Sequence, residues 1–327
     1  MNKISTINRK QISWKKIYTL MLRILMKLES YLNQKITLKN TSTKIKIDFL
    51  GFHGQTVFHN MKEKISKQLG DGKLLSKLTK KTVVYNFRKN DLVNGGEGAP
   101  LAPVFHKLLV EQNKIKAPVM ILNIGGIANV TLLPPKYNND VIGFDTGPGM
   151  SLLDEAYLKI FKDGFDHNGN VALKGNVDRD LVTTWLNQSY FIQDPPKSTG
   201  RDQFGLNWLN TYMKNIDKHN NEDILATLSY FTAQSIFLAC EEFINDNNVS
   251  MLIVSGGGAH HMCTMKFLKN LFTPIQVVPS SKLNISVDSK EALGFAMLAV
   301  ANVKEIPGNL PSVTGADKSV ILGKMNL

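Results

Sequence analysis

The sequence predicts an α/β protein built as two lobes, and three observations carry that prediction. Its 327 residues, 43% of them hydrophobic, exceed what one core usually holds, since single cores stop growing near ~250–300 residues. Short apolar runs rich in β-branched residues end again and again in glycine turns. Segments of helical period follow those turns, which is the strand–turn–helix rhythm of α/β architecture.

The elements follow in order. Trp14, Ile17, Tyr18, Met21, Leu25, Leu28 and Leu32 recur at helical spacing opposite Lys15, Lys16, Arg23 and Lys27, predicting an amphipathic helix packed on a sheet. A membrane-surface helix or a transit peptide is the alternative for that stretch. Ile45, Ile47, Phe49 and Leu50 form a strand that ends in a polar turn over Gly51 to Thr56. A second strand, Thr82 to Phe87, runs into the glycine-rich loop Asn94 to Pro100, and a helix begins near Pro103. Val119 to Ile124, a turn at Gly125-Gly126, and Ala128 to Leu133 read as a hairpin. Val141 to Phe144 leads into Asp145 to Gly149, after which Leu152, Leu153, Ala156 and Tyr157 open a helix. A long helix is expected from about Asp223 to Phe243, then a buried strand Met251 to Val254 ending in Ser255 to Gly258, then a helix opened by Asp288 to Glu291. The lobes divide as 1–117 plus 303–327, and 118–302.

Composition excludes several classes. The net charge of +12 is concentrated in the first 48 residues, where Glu29 and Asp48 are the only acids, and no basic stripe is interleaved with aromatics. Nucleic-acid binding is therefore not expected. Cys240 and Cys263 stand far apart with no zinc-like spacing, which fits a reducing compartment. No apolar run approaches the ~20 residues a bilayer requires, so a cytoplasmic protein is expected.

The turns at Gly125-Gly126, Gly147 to Gly149 and Gly256 to Gly258 suit the placing of backbone N–H groups around a nucleotide. Neither G-x-x-x-x-G-K-[ST] nor a helix-opening G-x-G-x-x-G occurs, which disfavours a P-loop or Rossmann site. Asp145 is either a reactive carboxylate or a cap for the helix after it.

FHGQTVFHN, FRKNDLVNGGEGAPLAPVFH, LNIGGIANVTLL, GFDTGPGMSLLDEA, PPKSTGRDQFGLNWL, VSGGGAHH, SKEALGFAMLA and GNLPSVTGADKSVILG resemble, in order, the motifs of the anhydro-N-acetylmuramic acid kinases. The likeness runs from about Ile45 to the C-terminus. It implies the actin-like sugar-kinase and Hsp70 fold, two ribonuclease-H-like lobes with a truncated first lobe. It implies ATP and Mg2+ as cofactors, an amino-sugar substrate, and conversion of 1,6-anhydro-N-acetylmuramic acid and water to N-acetylmuramic acid 6-phosphate in peptidoglycan recycling. It also admits a homodimer. Asp145 matches the family's catalytic aspartate, a group that takes the attacking water's proton. The resemblance assigns His53, Gly54, Gln55, Thr56, Gly96, Glu97 and Glu291 to the sugar. Glu291 also fits a capping box with Asp288. To the nucleotide it assigns Asn123, Gly125, Gly126, Gly147, Gly149, Gly256, Gly257 and Gly258.

Glu97 stands where many relatives carry glutamine, and Met150 where asparagine is common. For Lys197 to Arg201 the sequence leaves ligand binding and packing open. His260, His261 and Cys263 read as a strand-to-helix turn rather than a metal cluster. Nothing before Ile45 resembles the M-S-G-T-S-x-D-G phosphate loop of the family, so at most trace activity is expected of the chain as it stands. A non-catalytic sugar-binding relic is the competing reading. Acetate and glycerol kinases share the superfamily but not these motifs.

Overall fold

The computed structural model describes residues 47–60, 63–112, 114–135, 141–195, 197–212, 219–283 and 290–326. The expected helix over Trp14 to Leu32, the strand residue Ile45 and the capping residue Asp288 lie outside the described residues. The described residues from Phe49 onward form one compact unit, and the site residues with described side chains belong to it.

The strands described are, in chain order, β1 Phe49–Phe52, β2 Gln55–Asn60, β3 Ile65–Leu69, β4 Thr82–Tyr85, β5 Val119–Ile124, β6 Ile127–Leu133, β7 Ile142–Pro148, β8 Met251–Ser255, β9 Gln276–Pro279 and β10 Lys324–Asn326. The main sheet has the order β7-β6-β5-β8-β9. The expected hairpin is β5 and β6, and β7 continues it as an antiparallel meander. On the other side β5, β8 and β9 run parallel. Parallel neighbours need long crossovers, and the helical stretch between β7 and β8 supplies one. With only its second strand reversed, this is the ribonuclease-H-like sheet of the actin-like fold.

Alternation along β5 explains how both faces are covered. Met120, Leu122 and Ile124 pack with Ala233, Ile236 and Cys240 of the helix Asn221–Asp246 and with Leu268 of the helix Met262–Leu271. Val119 and Ile121 face the other way, against Val110 and Val313. Near-continuous apolar strands are what a sheet buried on both faces demands. The helix Asn221–Asp246 corrects one expectation, since by length and composition it could cross a bilayer. Its most apolar window is 72% buried inside the protein. Thr232 on that helix donates its hydroxyl to the carbonyl of Gly149 at 3.0 Å, fastening the core helix to the turn after β7.

A smaller sheet has the order β1-β4-β10, with β1 parallel and β10 antiparallel to β4. Phe295, Leu298 and Ala299 of the helix Lys290–Val303 pack there with Val84, Phe87 and Leu322. Two local expectations shift. The turn expected over Gly51 to Thr56 shrinks to His53-Gly54, because Gly51 and Phe52 stay in β1 and Gln55 opens a hairpin with β3. Asp145 lies within β7 rather than in the turn after it, because β6 starts at Ile127 and pairs β7 as far as Pro148.

Candidate active site

Backbone register builds the centre of the site. Asp145 on β7 stands opposite Asn129 on β6, Asn129 opposite Asn123 on β5, and Asn123 opposite Ser255 on β8. Residues facing one another across a sheet project to the same side, so four polar side chains form one row near the strand ends. Three of them, Asn123, Asn129 and Asp145, line a cavity of about 410 Å³ together with His53, Gly54, Gln55, Thr56, Arg88 and Phe295.

Asp145 is held by a segment far along the chain. Its Oδ2 accepts the hydroxyl of Ser198 at 2.9 Å and the N–H of Thr199 at 3.0 Å. Its own N–H donates to the carbonyl of Lys197 at 3.0 Å, and Tyr190 donates its hydroxyl to the Asp145 carbonyl at 2.6 Å. Burial pushes the carboxyl above its ordinary value, and the Thr199 and Ser198 donors partly oppose that. The helix Ser151–Phe161 is preceded by Met150, which makes no side-chain cap, so Asp145 does not serve as its N-cap.

His53 and Arg88 form a second unit in the same cavity. Arg88 donates Nε–H to His53 Nε2 at 3.0 Å and Nη1–H to the carbonyl of Gly98 at 2.8 Å. A guanidinium only donates, so the His53 proton is on Nδ1, which faces the carbonyl of Gly54 at 2.9 Å. The ring stacks on Phe295 at 4.2 Å. Burial first, and the Arg88 charge second, pull the imidazole down to about 4, so His53 is neutral at physiological pH.

Gly96 and Glu97 line neither this cavity nor the next. Their loop is pinned from behind by Asp91, which is fully buried. Asp91 accepts from Gly98 N–H, Asn309 Nδ2 and the Thr314 hydroxyl, each at 2.7 Å. The N–H of Glu97 donates to the carbonyl of Thr314 at 2.8 Å. The side chain of Glu291 lies outside the described residues.

A second cavity, about 530 Å³, is walled by Ile124, Gly125, Gly126, Met150, Asp154, Phe165, Asp166, His167, Gly257 and His261, among others. It brings Gly125, Gly126 and Gly257 together, because β5 and β8 are parallel neighbours whose ends lie side by side. Gly256 and Gly258 lie beneath, against Ile124. Gly147 and Gly149 stand behind the wall: the N–H groups of Gly149 and Ser151 donate to the Gly126 carbonyl at 2.9 and 3.1 Å, and that of Met150 to Gly125 at 2.7 Å. These donors support the glycine turn instead of pointing into the cavity. Asn123 lines the cavity of Asp145 rather than this one. His261 caps the helix Met262–Leu271 through Nδ1, which accepts from the Thr264 N–H at 3.3 Å. Cys263 is buried, its thiol pushed up to about 11 by desolvation.

Several lining residues escaped the sequence reading. Arg88 and Asn129 sat inside quoted motifs, with Arg88 shortly after the end of β4 and Asn129 one hairpin away from Asn123. Phe165 and His167, whose tilted rings lie 4.1 Å apart, had no local signal at all.

The sequence model of the anhydro-N-acetylmuramic acid kinases matches residues 6–326. The chain belongs to the anhydro-N-acetylmuramic acid kinase family. The match begins well upstream of Ile45, so the likeness reaches into the basic N-terminal segment that the quoted motifs left out. The chain is 44% identical over 279 residues to the anhydro-N-acetylmuramic acid kinase of Coxiella burnetii, covering 85% of this chain and 74% of that one. It is 37% identical over 301 residues to the enzyme of Francisella tularensis subsp. novicida, covering 90% and 78%. Among solved structures it is similar to a xylulose kinase from Lactobacillus acidophilus, at TM-score 0.39 and 13% identity, over 66% of this chain and 45% of that one. A dehydratase activator from Clostridium difficile with bound ADPNP scores 0.39 at 16% identity, over 58% and 63%. Anhydro-N-acetylmuramic acid kinases are phosphotransferases of amino-sugar metabolism that use ATP and act in peptidoglycan recycling.

Proposed function

We propose that 1,6-anhydro-N-acetylmuramic acid occupies the cavity of Asp145, and that the nucleotide occupies the cavity of Gly125, Gly126 and Gly257. One observation carries this reading: the two cavities lie on either side of a single strand end, Asn123 lining one and Ile124 to Gly126 the other. Donor and acceptor of a phosphoryl group must approach in line, and adjoining cavities permit that. Asp145 takes a proton from the water that attacks the anomeric carbon. The anhydro C–O bond breaks, and the oxygen it frees takes the γ-phosphoryl group of ATP as the bond to the bridging oxygen breaks and ADP leaves. A carboxyl whose basicity is raised by burial and which is aimed by two donors is suited to that step. Phe165 offers an exposed ring for the base.

Mg2+ belongs to the same proposal. Such an ion rides chiefly on the phosphates and needs one or two carboxylates. Asp166 is spent on the N–H groups of Val171 and Ala172, both at 2.9 Å, which leaves Asp154 as the carboxylate in that cavity suited to the metal. The ion's part is to neutralise charge on the transferring group. The two lobes expected from the sequence correspond in this reading to the two sheets, with the helix Lys290–Val303 assigned to the smaller one. A cytoplasmic location and a homodimer complete the proposal, the latter checked by sedimentation.

The test is calorimetric titration of the chain with ATP and with the anhydro-sugar, followed by mass spectrometry for N-acetylmuramic acid 6-phosphate. Hydrogen exchange should show protection at β7 with sugar and at the Gly257 turn with nucleotide. Protection at neither place, with both ligands bound, would overturn the assignment.

A further inference from the structure

The wall of the nucleotide cavity holds the carboxylates of Asp154 and Asp166, and among its described lining residues there is no Lys or Arg. A triphosphate is a polyanion, and fixed cationic donors are what hold such a group best. One guanidinium stands at the edge of that wall. A methyl group placed on Gly126 would lie 2.9 Å from Nε and 3.0 Å from Nη2 of Arg201, so the guanidinium rests directly on the glycine turn. Its charge also reaches Asp154: burial raises that carboxyl, and Arg201 comes first among the charges that pull it back down. Arg201 is exposed, and among the described residues its guanidinium has no hydrogen-bond or ion-pair partner.

The segment that carries Arg201 is anchored on both sides. Lys197 donates Nζ–H to the carbonyls of Tyr190 and Gln193 at 3.2 and 2.8 Å. Phe204 is fully buried, and its carbonyl accepts the Ser151 hydroxyl at 2.7 Å. Between these anchors the N–H groups of Gln203 and Phe204 close a turn onto the Gly200 carbonyl at 3.1 and 2.9 Å. Ser198 and Thr199 of the same run hold Asp145. One short stretch therefore grips the carboxylate of the sugar cavity and, two residues later, lays a guanidinium on the glycine turn of the nucleotide cavity. In-line transfer requires the terminal phosphate to be the part of ATP nearest the sugar.

We propose that Arg201 binds the terminal phosphate of ATP over the Gly126 turn, and so makes this cavity prefer ATP to ADP. The inference rests on the nucleotide assignment above and adds the direction in which the nucleotide lies, its base toward Phe165 and its last phosphate toward Gly126. It also divides the segment Lys197 to Arg201 by role. Lys197, Ser198 and Thr199 pack and hold Asp145, whereas Arg201 meets the ligand.

The experiment titrates the full chain with MgATP and with MgADP by calorimetry. Arg201→Gln should lower ATP affinity by about 10- to 100-fold, the usual range for hydrogen bonds to a charged partner, and leave ADP affinity unchanged. Arg201→Lys keeps the charge but not the fork, so it should recover part of the loss. Equal losses for ATP and ADP, or no loss for either, would overturn the proposal. Should Arg201→Gln not fold, nitrogen NMR of the unmodified chain follows the Arg201 Nε–H, which should shift with ATP and stay in place with ADP. A resonance that ignores ATP overturns the proposal as well. Hydrogen exchange at the Gly257 turn tells the two failures apart. Protection there by both nucleotides, with ATP and ADP weakened alike, removes Arg201 and keeps the cavity, while no protection with both nucleotides bound removes the cavity assignment and Arg201 with it.

Discussion

Ser198 donates its hydroxyl to the carboxylate of Asp145 at 2.9 Å across a separation of 53 residues. Among the described residues, the Thr199 N–H and this bond oppose the burial that raises the carboxyl. Ser198→Ala withdraws one of them, so Asp145 should titrate higher still. The acid limb of the kcat/KM profile should move toward neutral pH while the plateau falls by less than about tenfold, the worth of one hydrogen bond. A carbon NMR titration of the Asp145 carboxyl checks the cause directly, and an unshifted titration would separate Ser198 from the base.

In a version carrying the family's phosphate loop, Asp145→Asn should cost about 100- to 10,000-fold in turnover, the usual loss when a general base is removed. The same change should raise thermal stability at neutral pH. The folded chain binds this proton more tightly than the unfolded chain does, because burial raises the carboxyl. Stability of the unmodified chain is therefore lost as pH climbs from the ordinary carboxylate range through the folded value, and the penalty is complete above it. The amide escapes that penalty. Its advantage in Tm should be largest at neutral pH and vanish in acid, which scanning calorimetry from pH 3 to 8 resolves.

These residues show where sequence reading reaches its limit. The glycine turns after β5 and β8 are legible because a strand end and a missing side chain are both local. Asp145 stood out, but its partners did not: Ser198 and Thr199 belong to a segment whose role depended on a contact no periodicity reveals. Gly147 and Gly149 mislead in the opposite sense. They read like phosphate donors, yet the N–H of Gly149 is spent on the carbonyl of Gly126. Gly96 resembled a ligand loop, and its tightness instead reflects the buried carboxylate of Asp91 behind it.

Asp91 ties that loop to Asn309 and Thr314 through one buried carboxylate. Removing its side chain orphans Gly98 N–H, Asn309 Nδ2 and the Thr314 hydroxyl in a fully buried place. Asp91→Ala should therefore cost about 3 kcal/mol, taking each donor at the low end of its desolvation penalty. Asp91→Asn should cost less, since one acceptor remains while its amide confronts a donor. Gly96→Ala should be destabilising too, because its methyl would fall on the Asp91 carboxylate. Urea midpoints measure all three, and an unchanged midpoint for Asp91→Ala would show the loop is held some other way.

Gly257 and Gly258 give the sharpest test of the nucleotide cavity, because neighbouring glycines there have opposite surroundings. A methyl group added at Gly257 meets nothing within 4 Å, and the residue lines the cavity. One added at Gly258 runs into the side chain of Ile124 in the core beneath the turn. Gly257→Leu should therefore leave folding within about 0.5 kcal/mol of the original, as exposed substitutions usually do. Its side chain enters the space assigned to the nucleotide, so ATP affinity should fall by at least ~10-fold, since a group that blocks close approach removes contacts each worth a kcal/mol or more. Sugar binding in the neighbouring cavity should persist. Gly258→Ala should do the reverse, lowering Tm because a packed core resists even one added methyl. Fluorescence titration with a labelled nucleotide beside a thermal melt separates the two behaviours. Unchanged nucleotide affinity in well-folded Gly257→Leu would mean that the nucleotide does not bind between the Gly125 and Gly257 turns.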